Sequence, residues 1–193
     1  LRWMSRDYFG CRAFVVGEDV DYPIPVRVPN PREVGADRVV NAVGALARYR
    51  PPFIIVDFGT ATTFDVGDAE GAYCGGAIAP GINLSLEALH RAAAKLPRVA
   101  VAPPERVIGA NTIAAMQSGI FWGYIGLIEG LVARIRAELG VPATTIATGG
   151  LAPLFAPRTA ALEQLDPDLT MAGLLEIYLK NSHMMRRDGE AAS

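Results

Sequence analysis

The segment 56–81, VDFGTATTFDVGDAEGAYCGGAIAPG, sets an aspartate, a glycine and three threonines directly after the apolar run Phe53-Ile54-Ile55-Val56. Asp57 ends a strand-like run, where its carboxylate would point into a cleft rather than into a core. Gly59 lets backbone amides approach a ligand with no Cβ between them. Thr60, Thr62 and Thr63 carry hydroxyls able to donate to phosphate oxygens. A carboxylate beside phosphates requires a cation between them, because the like charges repel. The same residues also suit an ordinary β-hairpin filled with β-branched side chains.

Four other groups are candidates. Gly35-Ala36-Asp37-Arg38 sets an aspartate beside an arginine at a helix start, either a general base with an anion clamp or a cap with a surface ion pair. Ala110-Asn111-Thr112 precedes a long helix and reads first as its cap. Thr148-Gly149-Gly150 follows a strand and either offers bare backbone to a nucleotide or simply turns the chain. Gly119, Gly123, Gly126 and Gly130 clear one helical stripe for close approach by another helix, from this chain or from a second copy. Each of those glycines costs about 1 kcal/mol in a helix interior, which packing must offset.

Several chemistries are excluded. The two lysines, Lys95 and Lys180, do not follow glycine, so no GxxxxGK[ST] loop is present. There is no GxGxxG after a strand and no GxSxG elbow. Cys11 and Cys74 lack metal or redox spacing and read as buried thiols of a reducing cytosol. With only His90 and His183 besides, a Cys/His zinc site is not expected.

The elements that must position these residues follow from pattern. Residues 13–16 and 24–28 read as short strands, the second an edge because of its prolines. A helix within residues 30–49 shows Val39, Val43, Leu46 and Ala47 on one face, and begins either at an Asn30 cap or at an Asp37 cap after Gly35. FIIVDFG, TATTFDV and AYCGGAIA form a three-strand meander. Helices are expected from about Leu84 to Leu96 and from about Asn111 to Leu139, the latter ended by Gly140 and Pro142. A strand at TTIATGG, a helical turn at LAPLF and a last helix over 171–180 complete an α/β arrangement with a mixed sheet.

The chain has 193 residues, 51% of them hydrophobic and 20% charged, with a formal charge of −2. That composition describes a globular protein with no electrostatic reason to bind nucleic acid or an anionic membrane. The apolar segment 118–128 is half a membrane span long. A soluble cytoplasmic protein is the expectation.

The stretches NPREVGADRVVNAV, VDFGTATTFDV, GGAIAPGINLSLEAL, AAAKLPRV, VIGANT, AMQSGIFWGY and DPDLTMAGL together resemble the type III pantothenate kinases, of the acetate kinase/sugar kinase/Hsp70/actin superfamily. The resemblance implies an actin-like ATPase (ribonuclease H-like) lobe over 31–182, with 1–30 as the remnant of a largely missing N-terminal lobe and 183–193 as a disordered tail. It implies ATP-dependent phosphorylation of pantothenate in coenzyme A biosynthesis. Asp37 then matches the general base, and Gly35, Ala36, Asp37, Arg38 and Thr112 match substrate contacts. Thr60 and Gly59 match the phosphate contact, with Gly149 and Gly150 beside the nucleotide. Asp57 matches the ligand of a monovalent cation, K+ or NH4+, used with ATP and Mg2+. A homodimer is implied, with the glycine stripe as its face.

Two departures accompany the resemblance. The family's first phosphate loop, Asp-x-Gly-Asn-Thr, has no match, and the chain begins Leu1-Arg2-Trp3 rather than with Met. Val28 stands where a tyrosine often lines the pantothenate pocket. A non-catalytic dimer partner or regulatory protein derived from the family is therefore the alternative expectation.

Overall fold

The computed structural model describes residues 2–92 and 97–190, with side chains of the last helix described through Ser182. Its centre is β1, Phe53–Phe58, whose β-branched and aromatic residues are almost all buried. A strand buried on both faces needs helices above and below it. Antiparallel to β1 runs β2, Ala61–Gly67, which pairs in turn with β3, Tyr73–Pro80. On its other side β1 pairs in parallel with β4, Thr144–Thr148, and β4 with β5, Gln164–Leu165. The mixed sheet has the order β3-β2-β1-β4-β5. The meander and β4 are as the sequence predicts. The short β5 lacks the length to give an alternating signal.

Alternation along β1 divides the interior. Ile54, Val56 and Phe58 face one core, with Phe121, Tyr124, Ile125 and Ile128 of α4, Thr112–Leu139, and Phe155 of α5, Ala152–Phe155. Phe53 and Ile55 face the other, with Val39, Val40 and Val43 of α2, Ala36–Arg48, and Leu169 and Ile177 of α6, Leu169–Glu190. The result is three layers, helix on sheet on helix. Helix α4 starts where its cap predicts: the Asn111 side chain accepts from Ala114 N, and Gly140 closes the other end at φ 67°. By length and composition α4 could cross a membrane. Here its apolar face is packed on the sheet.

Helices α2 and α6 cross with almost no side chain between them. A Cβ on Gly44 would lie 2.3 Å from Leu169 O, and one on Gly173 would lie 2.0 Å from Val40 O. Neither expected cap begins α2: Asn30 precedes only a separate 3-10 turn at Pro31–Glu33 and makes no side-chain cap bond, while the α-helix starts at Ala36 after Gly35, with Asp37 inside its first turn.

Elsewhere expectation and structure differ. Residues 13–16 and 24–28 are not strands. They make only single bridges, Val16 to Val20 and Val26 to Tyr73; in the second segment Pro23 and Pro25 supply no N–H to a ladder. Still, Val20 and Ile24 join the α2 core. A helix, α1 at Arg2–Phe9, forms where none was expected. Helix α3 covers Ile82–Ala92, and its expected end near Leu96 lies outside the described residues. Helix α6 is twice its expected length, so the backbone through Glu190 is helical where a disordered tail was expected; 191–193 lie outside the described residues. Both cysteines are exposed rather than buried, Cys11 in the segment beyond α1 and Cys74 on the edge strand β3.

Candidate active site

Alternation puts Asp57 on the same face as Phe53 and Ile55, toward α2 and α6. Two residues past Ile55, however, the layer opens at the carboxyl end of β1. Asp57 pairs in register with Thr148, the last residue of the parallel strand β4. Carboxyl ends of parallel strands are where ligands gather in α/β sheets.

The two oxygens of Asp57 have different surroundings. Oδ2 accepts a 2.8 Å hydrogen bond from Nδ2 of the buried Asn41. Oδ1 faces glycine on two sides: a Cβ on Gly149 would lie 2.5 Å from it, and one on Gly59 would lie 3.9 Å from it. Gly149 has φ 89°, a left-handed conformation that itself favours glycine. Burial pushes the Asp57 carboxyl above its ordinary value, the Asn41 hydrogen bond opposes that, and the charge of Asp37 adds to the rise.

Asp37 occupies the first turn of α2 and is exposed. Its influence on Asp57 brings together two carboxylates that the sequence singles out separately. Gly35 has a reason to be bare, since a Cβ there would lie 2.6 Å from Asp37 Oδ1. Tyr22 stands near as well: burial raises its phenol, and the charge of Asp37 raises it further.

Arg38 turns away from Asp37. Its Nε donates to Asp65 Oδ1 at 2.6 Å, and Asp65 has no exposed side-chain surface. Tyr73 Oη donates to the same oxygen at 3.0 Å and Thr63 Oγ1 to the other at 2.7 Å. Burial raises the Asp65 carboxyl, with Arg38 the largest opposing influence. The surface pair Asp37–Arg38 is thus replaced by an interior pair, whose rupture would cost about 3–5 kcal/mol. One guanidinium nitrogen of Arg38, Nη2, is buried without a partner.

The threonines divide. Thr60 is exposed in the β1–β2 turn, and Gly81 packs so closely beneath it that a Cβ would lie 2.2 Å from Thr60 O. Thr62 bonds Tyr124 Oη in the core, and Thr63 serves Asp65. Only Thr60 keeps its hydroxyl outward. Thr112 is the exposed first residue of α4, and among the described residues no hydrogen bond joins it to Asp37 or Asp57. Gly150 is exposed beside Gly149, with open space where its Cβ would be. Val28 packs near Gly75 of β3.

Asn41, Asp65 and Thr170 lie inside stretches that carry the family resemblance, yet motif alone gives them no role, and Tyr22 lies outside those stretches. Asp65 had a visible signal, an acid between Phe64 and Val66 in a strand with no local cation, which demands a distant partner.

Asp57→Asn is expected to raise the melting temperature at pH 7 in potassium-free buffer. A carboxyl raised by the fold is most stabilising when protonated, so its ionised form costs stability at neutral pH. The gain should vanish as pH falls through the raised value, where the native carboxyl is neutral. Thermal melts of both proteins across pH check this, and a gain that grows toward acid would contradict it.

A sequence-family model for type III pantothenate kinase matches residues 1–134. The chain belongs to the type III pantothenate kinase family. It is 61% identical over 187 residues to the type III pantothenate kinase of Paramagnetospirillum magneticum, covering 96% of this chain and 72% of that one. With the Rhodospirillum rubrum enzyme of the same name it shares 62% over 182 residues, covering 94% and 71%. With that of Acidiphilium cryptum it shares 53% over 191 residues, covering 99% and 72%. The crystal structure of a Campylobacter jejuni protein assigned to the Baf family of transcriptional activators superimposes with a TM-score of 0.58 at 20% identity, over 84% of this chain and 70% of that one. That likeness concerns the fold alone.

Proposed function

We propose that this protein transfers the γ-phosphoryl group of ATP to the primary hydroxyl of pantothenate, giving 4′-phosphopantothenate, the first step of coenzyme A biosynthesis in the cytoplasm. The observation that carries this reading is that Asp37 stands one helical turn before Asn41, which hydrogen-bonds Asp57 at the carboxyl end of β1, in a chain 53–62% identical to three type III pantothenate kinases over at least 94% of its length.

Asp37 takes the proton from the pantothenate hydroxyl as that oxygen bonds to the γ-phosphorus. The bond from phosphorus to the β,γ-bridging oxygen breaks, and ADP leaves with the electron pair. Phosphoryl transfer of this kind depends on positioning and charge neutralisation. Thr60 and the bare backbone at Gly59 serve the phosphates, while Gly149 and Gly150 lie against the nucleotide. Gly35, Ala36, Arg38 and Thr112 hold pantothenate.

The residues suit the cations that such a reaction needs. Oδ1 of Asp57, between two glycines, offers one carboxylate oxygen with room around it, a fit for K+ or NH4+. Among the described residues no three His, Cys, Asp or Glu side chains cluster as a metal cage. Mg2+ is commonly held by substrate phosphates with few protein ligands, which this donor set permits. When bound, these cations neutralise the charge on the transferring phosphoryl group.

Residues 31–182 are read as a lobe of an actin-like ATPase fold, with 1–30 belonging to a preceding lobe. A homodimer is proposed through α4. Among the described residues nothing lies within 4 Å of a Cβ placed on Gly119, Gly123 or Gly126, so packing within those residues does not explain the stripe. Light scattering should give twice the 20.5 kDa chain mass.

The kinase reading is tested by mass-spectrometric detection of 4′-phosphopantothenate from pantothenate, ATP, Mg2+ and K+. Product that requires ATP and a monovalent cation is expected. No product with either K+ or NH4+ would overturn it.

A further inference from the structure

The motif DPDLT, residues 166–170, has no part in the mechanism above, yet it begins the helix that touches the site. Thr170 Oγ1 donates to Asn41 Oδ1 at 2.7 Å, and Asn41 Nδ2 donates to Asp57 Oδ2 at 2.8 Å. The order of donors and acceptors leaves little freedom. An ionised carboxylate accepts only, so the amide must turn its NH2 toward Asp57. The amide oxygen then faces α6, where a hydroxyl donor is needed, and Thr170 supplies it. Asn41 is buried, which makes any unpaired end of its amide costly.

The backbone is arranged to make this short chain of bonds possible. The crossing of α2 and α6 at Gly44 and Gly173 brings Thr170 against Asn41, although the two are 129 positions apart. Asp166 fixes the same crossing from the far end of α2. Its oxygens accept from Arg48 Nη1 at 2.7 and 2.8 Å and from Tyr49 Oη at 3.1 Å, and Oδ1 also accepts from Asp168 N.

We propose that Thr170 and Asn41 are positioning residues for the monovalent-cation site, anchoring Oδ2 of Asp57 so that Oδ1 is presented to the cation in the gap between Gly59 and Gly149. This rests on the assignment of Asp57 as cation ligand. Without the Thr170 hydroxyl the Asn41 amide loses the bond that fixes its orientation, and the carboxylate is free to rotate about its Cβ–Cγ bond.

The test is Thr170→Val, which keeps the shape and removes the donor, beside Thr170→Ser, which retains it. Two readouts are taken against K+ at constant ionic strength, with tetramethylammonium as the replacement cation. One is phosphorylation rate; the other is melting temperature without nucleotide or pantothenate. For Thr170→Val both K+ midpoints should move up by about 10-fold, the usual scale for loss of a partner that orients a metal ligand. The KM for pantothenate should stay near native, and Thr170→Ser should behave as the native protein does. A merely structural role would lower the melting temperature equally at every K+ concentration and leave the midpoints in place, which overturns the proposal. Should Thr170→Val melt below the assay temperature, Thr170→Ala is measured by the same criterion. If the native protein neither melts higher nor turns over faster with K+, the cation assignment of Asp57 fails, and the proposal fails with it.

Discussion

Asp37→Asn should lower kcat by about 10²- to 10⁴-fold, the range for loss of a positioned general base, while leaving the KM for pantothenate nearly unchanged. The substitution is isosteric, so the room left by Gly35 beside the Asp37 carboxylate still accommodates it. What disappears is the proton acceptor and a negative charge. A structural account of Asp37 predicts a small effect on turnover, and the structure offers little for such an account. Among the described residues Asp37 joins no ion pair, and the cap residue of α2 is Gly35, which has no side-chain bond to the helix. The nearby charge that would change is on Asp57, whose carboxyl Asp37 pushes up. Removing Asp37 therefore favours the ionised Asp57, so the K+ requirement should persist in whatever turnover remains. Steady-state kinetics with pantothenate and K+ varied separately measure both parts. A loss confined to KM, with kcat intact, would remove Asp37 from the proton-transfer step.

Where local pattern and fold agree, the sequence is sufficient. The meander is readable because Phe53–Val56 is a β-branched and aromatic run, the turns are glycine-rich, and β2 alternates. Helix α4 is readable from Asn111 and Gly140, each of which terminates it by a local hydrogen bond. The site is readable only in part, for a physical reason. Asp57, Gly59 and Thr60 fall within four residues of one hairpin, so a motif contains them. Asn41 and Thr170 matter through partners 16 and 129 positions away, and the contact depends on two glycines that let helices touch. Arg38 is a similar case. Its neighbour in sequence suggests a pair with Asp37, but the desolvated Asp65 in β2 has no other ion-pair partner among the described residues and takes it. A buried charge outranks an exposed one in that competition, because leaving it unpaired costs far more. The threonines of TATT follow the same logic, since strand alternation sends Thr62 to the α4 core and Thr63 to Asp65.

Gly149→Ala is expected to damage folding and catalysis together, and Gly150→Ala to damage neither comparably. At φ 89° a Cβ is strained wherever it points, at roughly 1–3 kcal/mol. Here it also points at Asp57 Oδ1, 2.5 Å away, and at Phe58 N and C, 2.7 and 2.8 Å away. Two of those three atoms are backbone of the central strand and cannot swing aside, so overpacking adds about 1–3 kcal/mol. For a chain of this size each kcal/mol lowers the melting temperature by about 2–4 °C, so a loss of roughly 10 °C is the scale to look for. Relief can come from moving the end of β1 or from rotating Asp57 away, and either one displaces the proposed cation ligand. Misplacement of about 1 Å at a reacting centre can cost 10²-fold in rate, so turnover should fall by about that factor at temperatures where the variant is still folded, with the K+ midpoint raised. Gly150 has a negative φ and open space at its Cβ position. Its alanine variant should melt near the native temperature and show any kinetic change in the KM for ATP. If both variants melt alike, the strain is not at Gly149, and the bare backbone over Asp57 has no special role. If only Gly149→Ala loses the K+ response, the glycine is required because the carboxylate beneath it must keep one oxygen uncovered.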